Sequence, residues 1–176
     1  MNEPIRSLAA RYYTDHEVFE IENAGLLAQT WQFGCHASEL AKTGDYATFE
    51  IAGESLFAIR GRDDKIRVFY NVCQHRAHQL VSGTGTTRVV VCPYHAWSYF
   101  SDGRLYGCPD MEDAEGFDRV ENGLIPVRME IWEGFVFLCF NDQAASLVEH
   151  LGDFPDRMAS HRLGGMRCTW KIQLDC

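Results

Sequence analysis

At 176 residues the chain is long enough for one well-filled core. With 46% hydrophobic and 12% aromatic residues it reads as a folded globular protein rather than a disordered or fibrous one. A formal charge of −9, with Lys and Arg scattered rather than striped, argues against binding nucleic acid or an anionic membrane. Neither Met1–Ala10 nor any later stretch has the apolar run of a signal peptide or a membrane span, so a cytoplasmic chain that does not enter a membrane is expected.

Seven cysteines, at positions 35, 73, 92, 108, 139, 168 and 176, are an odd count without the dense spacing of a disulfide scaffold. Reduced thiols and a metal site fit better. Cys35, Cys108, Cys139 and Cys168 read as small buried hydrophobes, and Cys176 carries no assignment.

In chain order, residues 1–30 form a helical segment. Thr14 and Glu17 have capping-box spacing, which predicts a helix over about Asp15 to Gln29. After Gly44 the pattern changes to short β-branched and aromatic runs separated by Gly or Asp turns. Strands are expected over Asp45–Ala52, Ser55–Arg60, Lys65–Val72 and Thr86–Val91. Ser98–Tyr106 contains Asp102-Gly103, a hairpin signal, and Val127–Trp132 with Gly134–Phe140 flank Glu133-Gly134 as a second hairpin, apolar on both faces and therefore central. Asp142 is the expected cap of a short helix through Leu151, and Met166–Asp175 alternates enough to be a strand.

The strongest chemical signal is Cys73-Gln74-His75, followed after sixteen residues by Cys92-Pro93-Tyr94-His95. Each half offers one thiolate and one imidazole, so two short loops can wrap a small metal centre from opposite sides. A structural zinc site commonly pairs Cys with Cys and His with His. Mixed pairs suit a two-iron, two-sulfur cluster of the Rieske type, in which two Cys hold one iron and two His the other. Zinc stays open as the alternative metal. His78 stays open as an alternative ligand to His75, while His16, His36, His150 and His161 lie outside any ligand spacing.

The segments Asn71-Val72-Cys73-Gln74-His75-Arg76 and Cys92-Pro93-Tyr94-His95-Ala96-Trp97 resemble the two cluster loops of the large subunit of Rieske non-haem iron oxygenases. The likeness extends to Trp31, Gly44-Asp45-Tyr46, Asp102-Gly103-Arg104-Leu105 and Glu130-Ile131-Trp132-Glu133-Gly134-Phe135-Val136-Phe137. The resemblance implies a mainly β fold: an antiparallel sandwich or barrel over 31–155 with a small cluster-binding subdomain, an N-terminal helix and a short helix near the C-terminus. It also implies that Cys73 and Cys92 bind the inner iron and His75 and His95 the outer one, with Arg76, Tyr94 and Trp97 around them.

Two departures stand out. Ala77 and Ala96 occupy positions that are often Gly in the family, so their backbone angles must be ones a Cβ tolerates. Trp97 stands where respiratory-type Rieske proteins have a Ser, and the missing hydroxyl donor predicts a potential towards the low end of the Rieske range.

The family's oxygen-activating site, a mononuclear iron on two His and a carboxylate, has no counterpart here. Thr169-Trp170-Lys171 resembles the opening of the family's catalytic domain, so 156–176 is read as the start of a truncated one, and no catalytic residue is expected within the chain. The resemblance implies a reductase or ferredoxin as electron donor, neighbouring subunits in a trimer, and a substrate that is a quaternary ammonium compound or an aromatic ring. A stand-alone Rieske ferredoxin and a zinc-stabilised interaction module are the other readings.

Overall fold

The computed structural model describes residues 7–111 and 114–172. Among the described residues the short apolar runs build ten strands: β1 (Gln32–His36), β2 (Asp45–Ile51), β3 (Glu54–Arg60), β4 (Ile66–Tyr70), β5 (Thr84–Thr86), β6 (Val90–Val91), β7 (Ser98–Tyr99), β8 (Leu105–Gly107), β9 (Pro126–Trp132) and β10 (Phe135–Cys139). Seven form one sheet in the order β1-β10-β9-β4-β3-β2-β5, and β6-β7-β8 form a separate small sheet. Every pairing is antiparallel. The expected mainly β architecture with a small cluster-binding subdomain is the one observed.

The large sheet curls into a half-barrel, bringing β1 close to β2 although the two are not hydrogen-bond neighbours. Gly34 permits the approach. It lies at a register shift of β1, and a Cβ there would sit 2.9 Å from the Phe49 ring. The hairpin between β9 and β10 turns on Glu133 and Gly134, both at positive φ (50° and 87°), as its sequence predicts. These two strands lie inside the sheet, and on β10 Val136, Leu138 and Cys139 are buried while Phe135 and Phe137 are half-buried.

Two main cores result. Ala47, Leu56, Ala58, Val68, Val136 and Leu138 fill the concave side of the half-barrel. Phe57, Ile59 and Phe69 point the other way and pack with Trp97, Tyr99, Leu105, Cys73 and Cys92, so the small sheet is welded to the large one through the Cys/His loops. Among the described residues no helix is long and apolar enough to cross a membrane.

Several expectations need correction. The N-terminal helix is broken: α1 (Arg11–Thr14) is followed by α2 (His16–Glu22) and a π-helical turn, Asn23–Leu27. Asp15, not Thr14, caps α2, accepting the Glu17 amide, while the Thr14 hydroxyl donates back to the Ala10 carbonyl. The run from Thr86 to Val91 is split between β5 and β6, which belong to different sheets. Near the C-terminus α3 (Leu147–Leu151) starts later than Asp142 because Ser146 and Glu149 form the capping box, and an unexpected α4 (Phe154–Met158) follows.

Residues 166–172 form no strand and are exposed, and 173–175 lie outside the described residues. Cys168 is accordingly exposed rather than buried, whereas Cys35, Cys108 and Cys139 are buried as expected. Burial without a partner pushes the Cys35 thiol up to about 12, as suits a structural cysteine. Cys176 also lies outside the described residues.

Candidate metal centre

The two Cys/His segments are loops of one design. In the first, the Cys73 amide donates to the His78 carbonyl and the Ala77 amide returns to the Cys73 carbonyl, both at 2.9 Å. In the second, the Cys92 amide donates to the Trp97 carbonyl (2.7 Å) and the Ala96 amide to the Cys92 carbonyl (3.1 Å). Each loop thus closes from Cys to the fifth residue on, and the residue before that closure, Ala77 or Ala96, sits at φ 53° or 58°. These are left-handed angles that favour glycine, so the alanines carry a strain of about 1 kcal/mol each.

Asn71 anchors the first loop. Fully buried, it accepts the Leu80 and Val81 amides on Oδ1 and donates to the Val81 carbonyl from Nδ2 at 2.8 Å. The second loop hangs between β6 and β7, tied to each other through Val90–Tyr99 and Val91–Ser98.

The loops bring all four expected residues to one tip. Cys73 and Cys92 are each 2% exposed, while His75 and His95 are partly exposed above them with rings 4.7 Å apart. His75 lies flat on the buried Trp97 ring (4.9 Å, 10°), which in turn meets Phe117 edge-on. His95 is covered on its other side by the exposed Tyr94 ring at 3.7 Å. Arg76 and His78 are exposed beside them. His78 differs from the other two: its Nδ1 is already 2.6 Å from the Gln79 carbonyl.

The local chemistry asks for a metal. The Nδ1 of His75 is buried with no hydrogen-bond partner, which is costly for an imidazole nitrogen unless something coordinates it. Burial raises the Cys73 thiol, against hydrogen bonds that lower it, so in the bare chain it stays protonated; a bound metal would deprotonate it. His95 is shifted down, first by loss of solvent and then by His75, Arg76 and His78, so it favours the neutral form a ligand needs. Among the described residues no three His, Cys, Asp or Glu side chains converge on a single ion position. The donors form a deep sulfur pair and a shallow nitrogen pair, which suits a two-metal cluster and not one tetrahedral ion.

Sequence reasoning missed Tyr99. Its side chain is fully buried on β7, and its hydroxyl lies 3.3 Å from Cys73 Sγ while accepting the Gln74 amide at 3.0 Å. Because the amide occupies a lone pair, the phenolic hydrogen is free to point at the sulfur. Burial also holds the phenol protonated, well above its ordinary range. Position 97 offers no hydroxyl, but one reaches the Cys73 sulfur from two residues past Trp97, on β7. Only the alternation of the Ser98–Phe100 run hinted at it.

Fold and site together define a β domain whose paired Cys/His loops are built for an iron–sulfur cluster. The chain belongs to the Rieske [2Fe-2S] domain family, whose model matches residues 30–122. It is 45% identical over 146 residues to the carnitine monooxygenase oxygenase subunit of Escherichia coli (strain K12), covering 82% of this chain and 39% of that subunit. It is 42% identical to the 2-aminobenzenesulfonate 2,3-dioxygenase subunit alpha of Alcaligenes sp, covering 81% and 37%. Among solved structures, the apo form of a quaternary ammonium Rieske monooxygenase superposes with a TM-score of 0.84 at 36% identity, covering 90% of this chain and 47% of that one. The chain thus spans less than half the length of these relatives.

Proposed function

We propose that Cys73 and Cys92 hold the inner iron and His75 and His95 the outer iron of a [2Fe-2S] cluster, and that the chain is the electron-delivery portion of a Rieske oxygenase. The carrying observation is the two-tier donor set, a buried thiol pair beneath a half-exposed imidazole pair. When bound, such a cluster supplies a one-electron store. The chain's own contribution is to bury the sulfur side against Trp97, Tyr99 and Phe69, to hold His75 flat against Trp97, and to leave the histidine side at the surface, where an electron can enter or leave.

In the whole protein the electron would come from a reductase or ferredoxin. It would go to a mononuclear non-haem iron outside this chain, in a neighbouring subunit of a trimer, for O2-dependent hydroxylation or demethylation. The similarity to carnitine monooxygenase favours a quaternary ammonium substrate, and the similarity to ring dioxygenases keeps an aromatic ring as the rival. Residues 1–30 and 156–176 flank the cluster domain as a helical lead-in and the first part of a catalytic domain.

Two measurements test this. Electron paramagnetic resonance of the dithionite-reduced protein, with metal analysis, is expected to show the signal of a reduced [2Fe-2S] cluster with mixed His/Cys ligation and two irons per chain. A silent sample with one zinc would make the site structural. Replacing His75 by Cys is expected to keep a cluster and move its potential down, towards the roughly −400 mV of all-Cys plant-type clusters. An unchanged potential would transfer the ligand role to His78.

A further inference from the structure

His36, the last residue of β1, is 8% exposed, and its Nε2 is buried without a hydrogen-bond partner among the described residues. The other ring nitrogen fixes where the proton sits. Nδ1 accepts the Ser38 amide at 3.2 Å and lies 2.7 Å from the Ser38 hydroxyl. That hydroxyl itself accepts the Cys168 amide at 2.9 Å, so its own hydrogen is free for the ring. With Nδ1 accepting, the imidazole proton is on Nε2, and the unpartnered atom is a donor. The ring meets Phe135 edge-on at 5.1 Å and faces Gly134, where a Cβ would lie 2.7 Å from Nε2. The Gly134 carbonyl already accepts the Ala37 amide. A buried N–H without an acceptor is costly, and what it lacks is an oxygen.

His36 and Gly134 line an open cavity of about 630 Å³ between the end of β1 and the chain from Gly164 to Cys168. Its charged lining residues are Arg60 and Arg167, and no carboxylate lines it, on a chain where twenty-five Asp and Glu face sixteen Lys and Arg. Arg167 is exposed and forms no ion pair among the described residues. Arg60 bonds the Leu40 carbonyl and Asp64 through Nε and Nη1, which leaves Nη2 over. The nearby carboxylates are engaged elsewhere: Glu133 accepts the Gly164 amide, Glu39 pairs with Lys171 and Asp64 with Arg60. The bond from the Cys168 amide to Ser38 pins the segment that carries Arg167 to the β1 side of the cavity.

We propose that this cavity binds a small oxyanion, the carboxylate or phosphate group of a small molecule. The His36 Nε2–H is its neutral donor, Arg167 supplies the main charge and Arg60 adds a second. A guanidinium presents paired N–H groups that match two oxygens of either anion, and two arginines without a carboxylate disfavour a cation. The volume exceeds that of the anion alone and leaves room for an organic group attached to it. The site is independent of the Cys/His loops: its wall at Ala37 packs on the half-barrel core, not on the one that contains Cys73 and Cys92.

The test titrates the full chain, in the metal state in which it is purified, with sodium acetate, with inorganic phosphate and, as the ionic-strength control, with sodium chloride. Nuclear magnetic resonance is expected to show the amides of Gly165, Arg167 and Cys168 shifting saturably by about 10 mM acetate or phosphate, the millimolar affinity of a bare anion, and not with chloride. Saturation by acetate alone assigns a carboxylate ligand, by phosphate alone a phosphate ester, and by both the oxyanion itself; each supports the site. No saturation by either, or shifts that chloride reproduces, would overturn the proposal.

Arg167→Gln is expected to weaken Kd at least about tenfold, and Arg167→Lys less, while the melting temperature without anion stays where it is because Arg167 is exposed. An unaltered affinity in Arg167→Gln would count against the site as decisively as no binding. His36 is buried and its replacement endangers the fold, so its part is read in the wild type from the two ring-nitrogen signals. A protonated Nε2 whose signal moves as the anion saturates is expected. A ring protonated on Nδ1, or an Nε2 signal that the anion leaves unmoved, would remove the donor and with it the proposal.

Discussion

At the residue scale the informative side chains are those that touch the proposed metal ligands without being ligands themselves. The Tyr99 hydroxyl lies 3.3 Å from Cys73 Sγ; to a metal-bound thiolate there the phenol can only donate, and a hydrogen bond to a sulfur stabilises the more negative, reduced state. Tyr99→Phe is therefore expected to keep the cluster and lower its potential by about 40 mV, the one-electron equivalent of a hydrogen bond worth about 1 kcal/mol; voltammetry of the pure protein reads it directly. Ala77 and Ala96 make the opposite point. Both stand at left-handed φ, so Ala77→Gly or Ala96→Gly is expected to raise stability by about 0.5–1 kcal/mol and the melting temperature by a few degrees. A loss of stability in either variant would mean that the methyl group makes packing contacts outweighing the strain. The proposed ligands stand out in the sequence because their spacing is local. Tyr99 does not, because nothing local ties a tyrosine to a cysteine 26 residues earlier.

At the element scale, most strands follow from apolar alternation bounded by turn residues, and the hairpins at Gly103 and Gly134 from their turn dipeptides. Errors fell where a side chain competed for a cap or where two sheets shared one run of sequence. The β5 edge is held to β2 partly by Asp45, which accepts the Thr86 hydroxyl on Oδ1 (2.5 Å) and the Lys42 amide on Oδ2 (2.8 Å). The Thr86 hydroxyl is the main cause that holds the Asp45 carboxyl below its ordinary range. A depressed folded value means this contribution is complete above about pH 5 and is lost as the pH falls through the unfolded value near 4 towards the folded one. Denaturation midpoints measured from pH 7 down to pH 3 are expected to converge for wild type and Asp45→Asn. Parallel curves would show that the tie carries no net charge dependence. The 166–172 segment is tied to the body by Ser38, which accepts the Cys168 amide, and by Glu39, which pairs with Lys171. Alternation in its sequence suggested a strand, but a strand also needs a free sheet edge, which alternation cannot report.

At the scale of the whole molecule, Cys73 and Cys92 belong to the core that joins the two sheets, so loading of a cluster and ordering of the small sheet are expected to be coupled. Removing iron with a chelator under reducing conditions is expected to destabilise the chain by about 2 kcal/mol or more. Amide protection should fall first over residues 72–108, while 45–60, backed by the separate core of Leu56, Val68 and Leu138, stays protected. Uniform loss over both regions would show a single cooperative unit. The sequence alone determined the ligand set expected for the cluster, the antiparallel β class and the family likeness. Each of these is written in short-range spacing: Cys-x-His and Cys-x-x-His, period-two alternation, turn dipeptides. The tertiary structure decided the depth ordering of thiols below imidazoles, the phenol beside Cys73, the left-handed alanines and the stacking of an exposed tyrosine on His95. Those depend on how a curled sheet brings distant segments together, a through-space property that no local pattern of residues encodes.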